Sequence, residues 1–427
     1  MIPPEISDII PVYAVGGCVR DWLMGNKPSD IDLATPFLPK RVMELANQSG
    51  LVTFPTGLKH GTVTILVADV PYEVTTFRTD VVTDGRHAEV SFVEDIWNDL
   101  SRRDFTMNAI AISNHWEVID PFGGESDIRN RTIRTVGNPT TRFTEDLLRI
   151  IRAPRFSSQL GFSIHPTTLS CMYSMKHKLI KGISSGVLSI ERIVSEFDKA
   201  FKYDKPSTFL RHMWNLEVIT TLISEFKEAD QLQQNPKYHP EGNVWEHTLE
   251  AVDRAPSEYR WHTLLHDIGK PGTAELHGDS YKFKGHEKFG ASLIPAIGYR
   301  LRLPRRLIDE IGATTGLHMI VNFATNVTER NRRRFQAQAG EYLNAIREVR
   351  KADVGNRWIS DWDLMFDPIP EQVNPILMGR HLIEMGVEPG IEMGKMLDKA
   401  YEYQLETGEA DIEKLKEAAI NGYSVDV

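Results

Sequence analysis

The sequence predicts an α+β protein in which a mixed head comes first and helices follow. Three observations lead there. The first third of the chain carries short β-branched runs, Tyr13–Val15, Ile31–Ala34, Thr62–Val67 and Tyr72–Phe77, separated by Gly or Pro. A helical stretch, Pro39–Asn47, falls between them, so strands and helices share this region. From about Thr141 the apolar residues recur at helical spacing towards the C-terminus.

With 427 residues the chain exceeds one ordinary hydrophobic core, and roughly two to four domains are expected. A hydrophobic fraction of 41% and a charged fraction of 25% are those of a folded, water-exposed chain. Cys18 and Cys171 are the only cysteines, which excludes a disulfide framework and a thiolate zinc site and suits a reducing compartment. The segment Met1–Asp8 has no basic stretch leading into an apolar one, and no apolar run approaches the ~20 residues of a membrane helix. A cytoplasmic protein without a membrane partner is expected; the oligomeric state is not legible. The net charge of −10 weighs mildly against nucleic acid. Two basic runs, Arg300–Arg306 and Arg330–Arg334, read as solvated helix faces ahead of RNA tracks.

In the head, Phe105–Ile112 and Trp116–Ile119 complete the strand set, and Pro121-Phe122-Gly123-Gly124 is a turn. Thr144 is placed to cap a helix beginning with Glu145 and Asp146, acids suited to its positive end. Pro154 lies inside that helix and should kink it or end its first part. The expected domains are a head over 1–138, a helical neck over 139–205, a helical body over 206–360 and a C-terminal helical region over 361–427.

Chemistry concentrates first at Val15-Gly16-Gly17-Cys18-Val19-Arg20-Asp21, followed by Asp30 and Asp32. Residues i and i+2 of a strand share a face, roughly 6–7 Å apart. Two carboxylates so placed suit a pair of divalent ions about 3.5–4 Å apart, the clamp of an in-line phosphoryl displacement. Gly16 and Gly17 allow backbone N–H groups close to a phosphate. Glu73, on a later strand, is either the third carboxylate of the cage or a partner of Arg78. In Ser101-Arg102-Arg103-Asp104, the arginines can fork onto triphosphate oxygens or pair with Asp104. Asp146, Arg149 and Arg152 recur at i, i+3, i+6, a stripe able to present hydrogen-bond forks to a base edge without a template.

These motifs, in this order, resemble class II tRNA nucleotidyltransferases, the CCA-adding enzymes of the polymerase β-like nucleotidyltransferase superfamily. The resemblance covers about residues 11–160. It takes in Thr56-Gly57-Leu58-Lys59-His60-Gly61-Thr62-Val63, Glu73–Arg78, and Thr83-Asp84-Gly85-Arg86-His87-Ala88-Glu89-Val90, which looks like the family's flexible loop. It implies a polymerase β-like head in which Asp30 and Asp32 hold Mg²⁺ and Glu73 joins them in catalysis. It also implies that Gly16, Gly17, Arg20 and Arg103 contact the nucleotide, and that Asp146, Arg149, Arg152 and Arg155 select and hold CTP or ATP. The partner would be the 3′ end of tRNA. Met107, where the family usually has Ile, and Pro154 depart from the pattern. The segment Met378–Gly394 is similar to the family's C-terminal region and is expected to contact tRNA.

A second constellation, His247, His266-Asp267, His286, His318 and Asp353, combines imidazoles and carboxylates, ligands for a transition metal. It resembles the HD phosphohydrolase superfamily over about residues 243–355. The resemblance implies His247, His266, Asp267 and Asp353 as ligands, with His286 and His318 belonging to a second metal or to the phosphate site. The expected activity is CCA addition with an additional phosphohydrolase. Two rivals are a poly(A) polymerase, against which Thr56–Val63 speaks, and an HD phosphohydrolase whose head only binds nucleotides.

Overall fold

The structure is a computed structural model, and it describes residues 1–83, 88–319, 328–367, 369 and 373–421. The chain divides into two compact units, Met1–Leu222 and Ile223–Val427.

The first unit opens with the strand-rich head. Its strands are β1 (Tyr13–Val15), β2 (Asp32–Thr35), β3 (Val52–Gly57), β4 (Thr62–Val67), β5 (Val70–Thr76), β6 (Arg78–Thr83), β7 (Ala88–Phe92), β8 (Ala111–Ser113) and β9 (Val118–Ile119). Seven of them form one sheet in the order β3-β4-β5-β2-β1-β8-β9, and β6 pairs with β7 as a separate ribbon. The expected loop around Asp84-Gly85-Arg86-His87 lies outside the described residues. A hairpin joins β4 to β5 through Ala68 and Asp69, both at positive φ (49° and 64°), the twist that a two-residue hairpin turn demands. The pair β2–β5 is parallel and sets Asp32 directly beside Glu73. Beneath the first turn Val15, Ala34, Phe77, Leu100 and Ala111 pack as one core, so the strand ends that carry the acids rest on a close-packed floor.

Several expectations shift here. The strand anticipated over Ile31–Ala34 begins at Asp32, and Asp30 stands before it in a bend, so the two acids do not share a pleat. Within Phe105–Ile112 a 3₁₀ turn over Thr106–Asn108 precedes the short β8. Thr144 is not a cap. Asn138 caps a helix over Pro139–Glu145 by accepting from Thr140 N–H (2.8 Å), with Pro139 at the first helical position. The chain then extends through Asp146 (φ −149°, ψ 108°), and a new helix runs over Leu148–Leu160. That helix passes through Pro154 instead of ending there. Gly161, at φ 66°, closes it.

In the second unit, helices Val244–Arg254, His286–Arg300 and Leu343–Val354 carry His247, His286 and Asp353, while His266 and Asp267 follow the end of helix Arg260–Leu265 and His318 follows that of Arg305–Leu317. Gly269 lets the turn after Asp267 lie against the start of the His286 helix; a Cβ there would collide with the His286 carbonyl and the Gly290 backbone. The arginine run proves to be engaged: Arg330 and Arg334 pair with Glu406 at 2.7 and 3.0 Å, and Arg333 donates to the Leu405 carbonyl. Leu377, Leu382, Met393 and Leu415 gather the last helices into a small core of their own. Among the described residues no helix is long and apolar enough to cross a membrane.

Candidate functional site

Asp30, Asp32 and Glu73 line one cleft of about 840 Å³ in the first unit, together with Gly16, Gly17, Arg20, Arg103, Asp146, Arg149, Arg152 and Arg155. All the residues singled out for nucleotide chemistry therefore meet. The register that sets Asp32 beside Glu73 puts two carboxylates side by side, and the Asp32 carboxyl is pushed up, first by loss of water around it and then by Glu73 and Asp30. Arg103 offsets part of that shift. Crowded carboxylates of this kind fit a divalent cation, which removes the repulsion and uses oxygen ligands. Ser29 Oγ donates to Asp30 Oδ1.

Gly16 sits at φ 79°, and a Cβ there would stand 2.7 Å from Arg103 Nη1; the glycine is what allows the guanidinium to cross the turn. Arg103 is tethered from the other side by Asp99 (3.1 Å), which also receives Arg102 (2.8 Å). Burial works against the charge of Asp99, yet the two arginines hold its carboxyl below the usual range. Arg20 is buried, donating to Asn108 Oδ1 (2.8 Å) and Asp21 (2.9 Å).

The neck side is equally anchored. Asp146, between its two helices, accepts from Leu148 N–H (3.0 Å) and from Arg192 (2.7 Å). Arg149 donates to the carbonyls of Arg142 and Arg102 (2.9 and 2.8 Å) and to Glu145 (2.6 Å). Arg152 sits on Asp104 (2.6 Å), whose carboxyl falls to about 2: burial opposes the charge, but Arg152, Asn108 and the Phe105 N–H outweigh it. Arg155 bonds Glu196 (2.9 Å) and lies 3.4 Å over the Phe156 ring. Sequence reasoning missed Asp99 and Glu196 and gave Asp104 a different partner. Each pairs across a turn or across the fold. Gln159, Lys199 and Tyr203 also line the cleft and were missed as well.

The second unit brings all six histidine–aspartate residues together. Asp267 is the hinge of the set. Its Oδ2 faces His266 (3.1 Å) and His247 (3.5 Å), and its Oδ1 faces His286 (3.2 Å) and His318 (3.6 Å). Asp353 Oδ1 lies 3.0 Å from His247 Nε2, and Arg350 holds its other oxygen. Two triads, His247–His266–Asp267 and Asp267–His286–His318, are each close enough to hold an ion. The backs of the rings are engaged: Nδ1 of His266, His286 and His318 meets the carbonyls of Thr263, Phe283 and Thr315 (2.7, 2.8 and 2.8 Å), and Nδ1 of His247 meets Glu241 (2.5 Å). That arrangement turns every Nε2 inward as a metal donor. Nε2 of both His247 and His266 is buried, and although carboxylate oxygens lie 3.0 and 3.1 Å away, neither is aligned for a hydrogen bond. Burial opposes a charge on His266, but Asp267 and Asp353 raise it to about 10; burial pushes His318 down to about 4. The shift on His266 records the negative field of two carboxylates, and it is the donor set, inward-facing imidazole nitrogens beside carboxylate oxygens, that fits a transition metal. Glu241 was not foreseen; its role depends on a contact six residues away along the chain.

Known proteins resemble the chain in both units. The poly A polymerase head domain family matches residues 12–134. The probable RNA and SrmB-binding site of polymerase A matches 161–230, and the HD domain matches 209–354. The CCA-adding enzyme of Oceanobacillus iheyensis is 42% identical over 215 residues, 50% of this chain and 51% of that one. That of Anoxybacillus flavithermus is 44% identical over 189 residues, 44% and 45% of the two chains. The chain thus spans about half the length of the curated relatives it matches. Among solved structures, the Bacillus stearothermophilus CCA-adding enzyme in complex with CTP has a TM-score of 0.70 at 28% identity, covering 99% of this chain and 98% of that one. A Thermotoga maritima CCA-adding enzyme complexed with tRNA shares the fold (TM-score 0.58, 22% identity, 97% and 92% covered). The chain is built like a CCA-adding enzyme with an HD domain.

Proposed function

We propose that this chain adds or repairs the 3′-terminal CCA of tRNA, using CTP and ATP without a nucleic-acid template. The observation that carries the reading is the register of Asp32 against Glu73, with Asp30 beside them in the cleft that also holds Gly16 and the arginines. Asp30, Asp32 and Glu73 would hold Mg²⁺, which supplies charge neutralisation of the triphosphate and acidifies an attacking hydroxyl. Gly16 and Gly17 admit the phosphates, Arg103 and Arg20 orient them, and the 3′-hydroxyl of tRNA attacks the α-phosphate in line as pyrophosphate leaves. Asp146 and Arg149 present a rigid donor–acceptor edge to the base. Their own tethers keep that edge from adapting, which is what a protein needs to stand in for a template. Arg152 and Arg155 support it. The four-part division 1–138, 139–205, 206–360 and 361–427 assigns these tasks to head, neck, body and tRNA-contacting tail, in a cytoplasmic protein.

A second reading concerns the other unit. His247, His266, Asp267 and Asp353 would hold one divalent transition metal, with His286 and His318 completing a second position that shares Asp267. Such ions supply hydroxide and Lewis acidity for phosphoester hydrolysis. The buried Nε2 atoms of His247 and His266, each beside a carboxylate but not aligned to hydrogen-bond with it, support it.

The test of the first reading is product length. A tRNA lacking its tail, incubated with CTP and ATP together, should gain three residues; a long ladder would mark a poly(A) polymerase, and no extension would sink both.

A further inference from the structure

The cavity in front of the histidine–aspartate cluster, about 540 Å³, is lined by Gln234 and Lys270 as well as by Asp267 and His286. Lys270 Nζ lies 2.6 Å from Asp267 Oδ2, the oxygen that faces His266, and 2.7 Å from Gln234 Oε1. An ammonium has three donors and no acceptor, so this contact orients the Gln234 amide: oxygen on Lys270, nitrogen elsewhere. Gln234 is 4% exposed, and its Nε2 is buried with no hydrogen-bond partner among the described residues. A buried amide donor left without an acceptor is costly, and native proteins keep one where something else supplies the acceptor. Lys270 in turn spends two of its donors on Asp267 and Gln234 and keeps one. The result is an ammonium and an amide side by side, each with a donor in hand, next to a carboxylate shared by two triads. The backbone holds Gln234 there through its N–H to the Gly242 carbonyl (3.0 Å), in the segment that leads into the His247 helix.

We propose that Gln234 is a phosphoryl-positioning residue of this second site. Its oxygen keeps Lys270 aimed across the shared carboxylate, and its nitrogen donates to an oxygen of the bound phosphoryl group. The proposal rests on reading the cluster as a metal-dependent phosphohydrolase site. It adds the residue that sets where the phosphoryl group sits relative to the ligands.

Inorganic phosphate is the probe, with the full-length protein loaded with Mn²⁺. Calorimetric titration should show that Gln234→Met weakens phosphate binding about tenfold, the usual worth of a hydrogen bond to a charged group, while Mn²⁺ affinity stays within twofold. In a Lys270→Met background the same substitution should cost clearly less, because part of its effect runs through the ammonium; a residue that only packs would cost the same in both backgrounds. Gln234→Glu, which keeps an oxygen for Lys270 but removes the amide donor, should also weaken phosphate and checks that the loss is not misfolding. Unchanged phosphate affinity in Gln234→Met, or loss of Mn²⁺ along with phosphate, overturns the proposal alone. A wild-type protein that takes up no metal overturns the reading beneath it, and the proposal with it.

Discussion

In the cleft of the first unit the acids stand open and three of the arginines are sunk into the protein; in the histidine–aspartate cluster every member is sunk. Asp30, Asp32 and Glu73 are exposed, whereas Arg20, Arg149 and Arg155 are buried and bound to acceptors of the chain itself. Asp267, Asp353, His247, His266 and His318 are at most 5% exposed. On the proposed function, the contrast follows from what each site would have to admit. A nucleotide brings its own charge and its own ions and leaves again, so the acids that meet it cannot be enclosed, while the groups that measure it must not move. A resident metal is gripped for the life of the protein, and its ligands are best oriented before it arrives.

The sharpest way to break this contrast is Asp32→Ala. Nucleotide transfer should fall about a thousandfold or more, the scale of losing a group that stabilises transition-state charge, while tRNA retention on a filter and metal uptake by the second unit stay intact. Incorporation of CTP at the wild-type rate would remove the assigned role of Asp32. The converse variant, Asp267→Ala, should abolish metal binding in the cluster and leave CCA addition unchanged; loss of addition would show that the HD site is the main centre.

Next in size is Glu196→Ala, which leaves Arg155 buried without its counter-charge, with only the Gln159 amide oxygen and the Phe156 ring beside it. Removing one partner of a buried pair costs about 3 kcal/mol, and Glu196 itself is 1% exposed. Denaturant melts of the first unit's signal should record that loss, together with a weakened choice between CTP and ATP. A stability change below about 1 kcal/mol would mean that Arg155 finds water instead, and that the cleft cations are less embedded than the contrast requires.

How much of this could be read from the chain alone follows the same division. That Asp30, Asp32 and Glu73 would meet, and likewise the six histidine–aspartate residues, was legible because such residue types in such an order single themselves out. The tethers were not. Asp99 under Arg103, Asp104 under Arg152 and Glu196 under Arg155 look like ordinary acids in sequence, and for Arg152 and Arg155 the pairing is closed by the fold across more than forty residues. The break at Asp146 was within reach: Asn138-Pro139 is a cap followed by a first-turn proline, and it starts a helix too early for Thr144 to cap anything. The helical period ran on either side of the break and hid it.

A chelator tests the resident-metal half of the comparison. Stripping metal from the wild-type protein should lower the stability of the second unit by about 2.7 kcal/mol if the metal was present at a hundred times its dissociation constant, and should leave the head's melt unmoved. Asp267→Ala should show no such chelator effect. A head that also loses stability would mean that its acids grip an ion permanently, contrary to their exposure.

The smallest effect is a pH dependence confined to the first unit. Asp104 has a folded value of about 2 against an ordinary carboxyl value of 3.8, so its charged form is favoured by folding. Its contribution is therefore complete above about pH 4, diminishes as pH falls towards 2, and is gone below that. The size follows from the displacement, about 2 kcal/mol. Asp104→Asn keeps the oxygen that accepts from the Phe105 N–H and removes the charge, so its stability should no longer show this step between pH 4 and 2. Because Arg152 would then lose its counter-charge in a partly buried position, the variant should be less stable than wild type at pH 7 and equal to it near pH 2. Curves that stay parallel over the whole range would show that the Arg152 pair is not what holds Asp104 ionised, and that the neck arginine is free to serve the nucleotide directly.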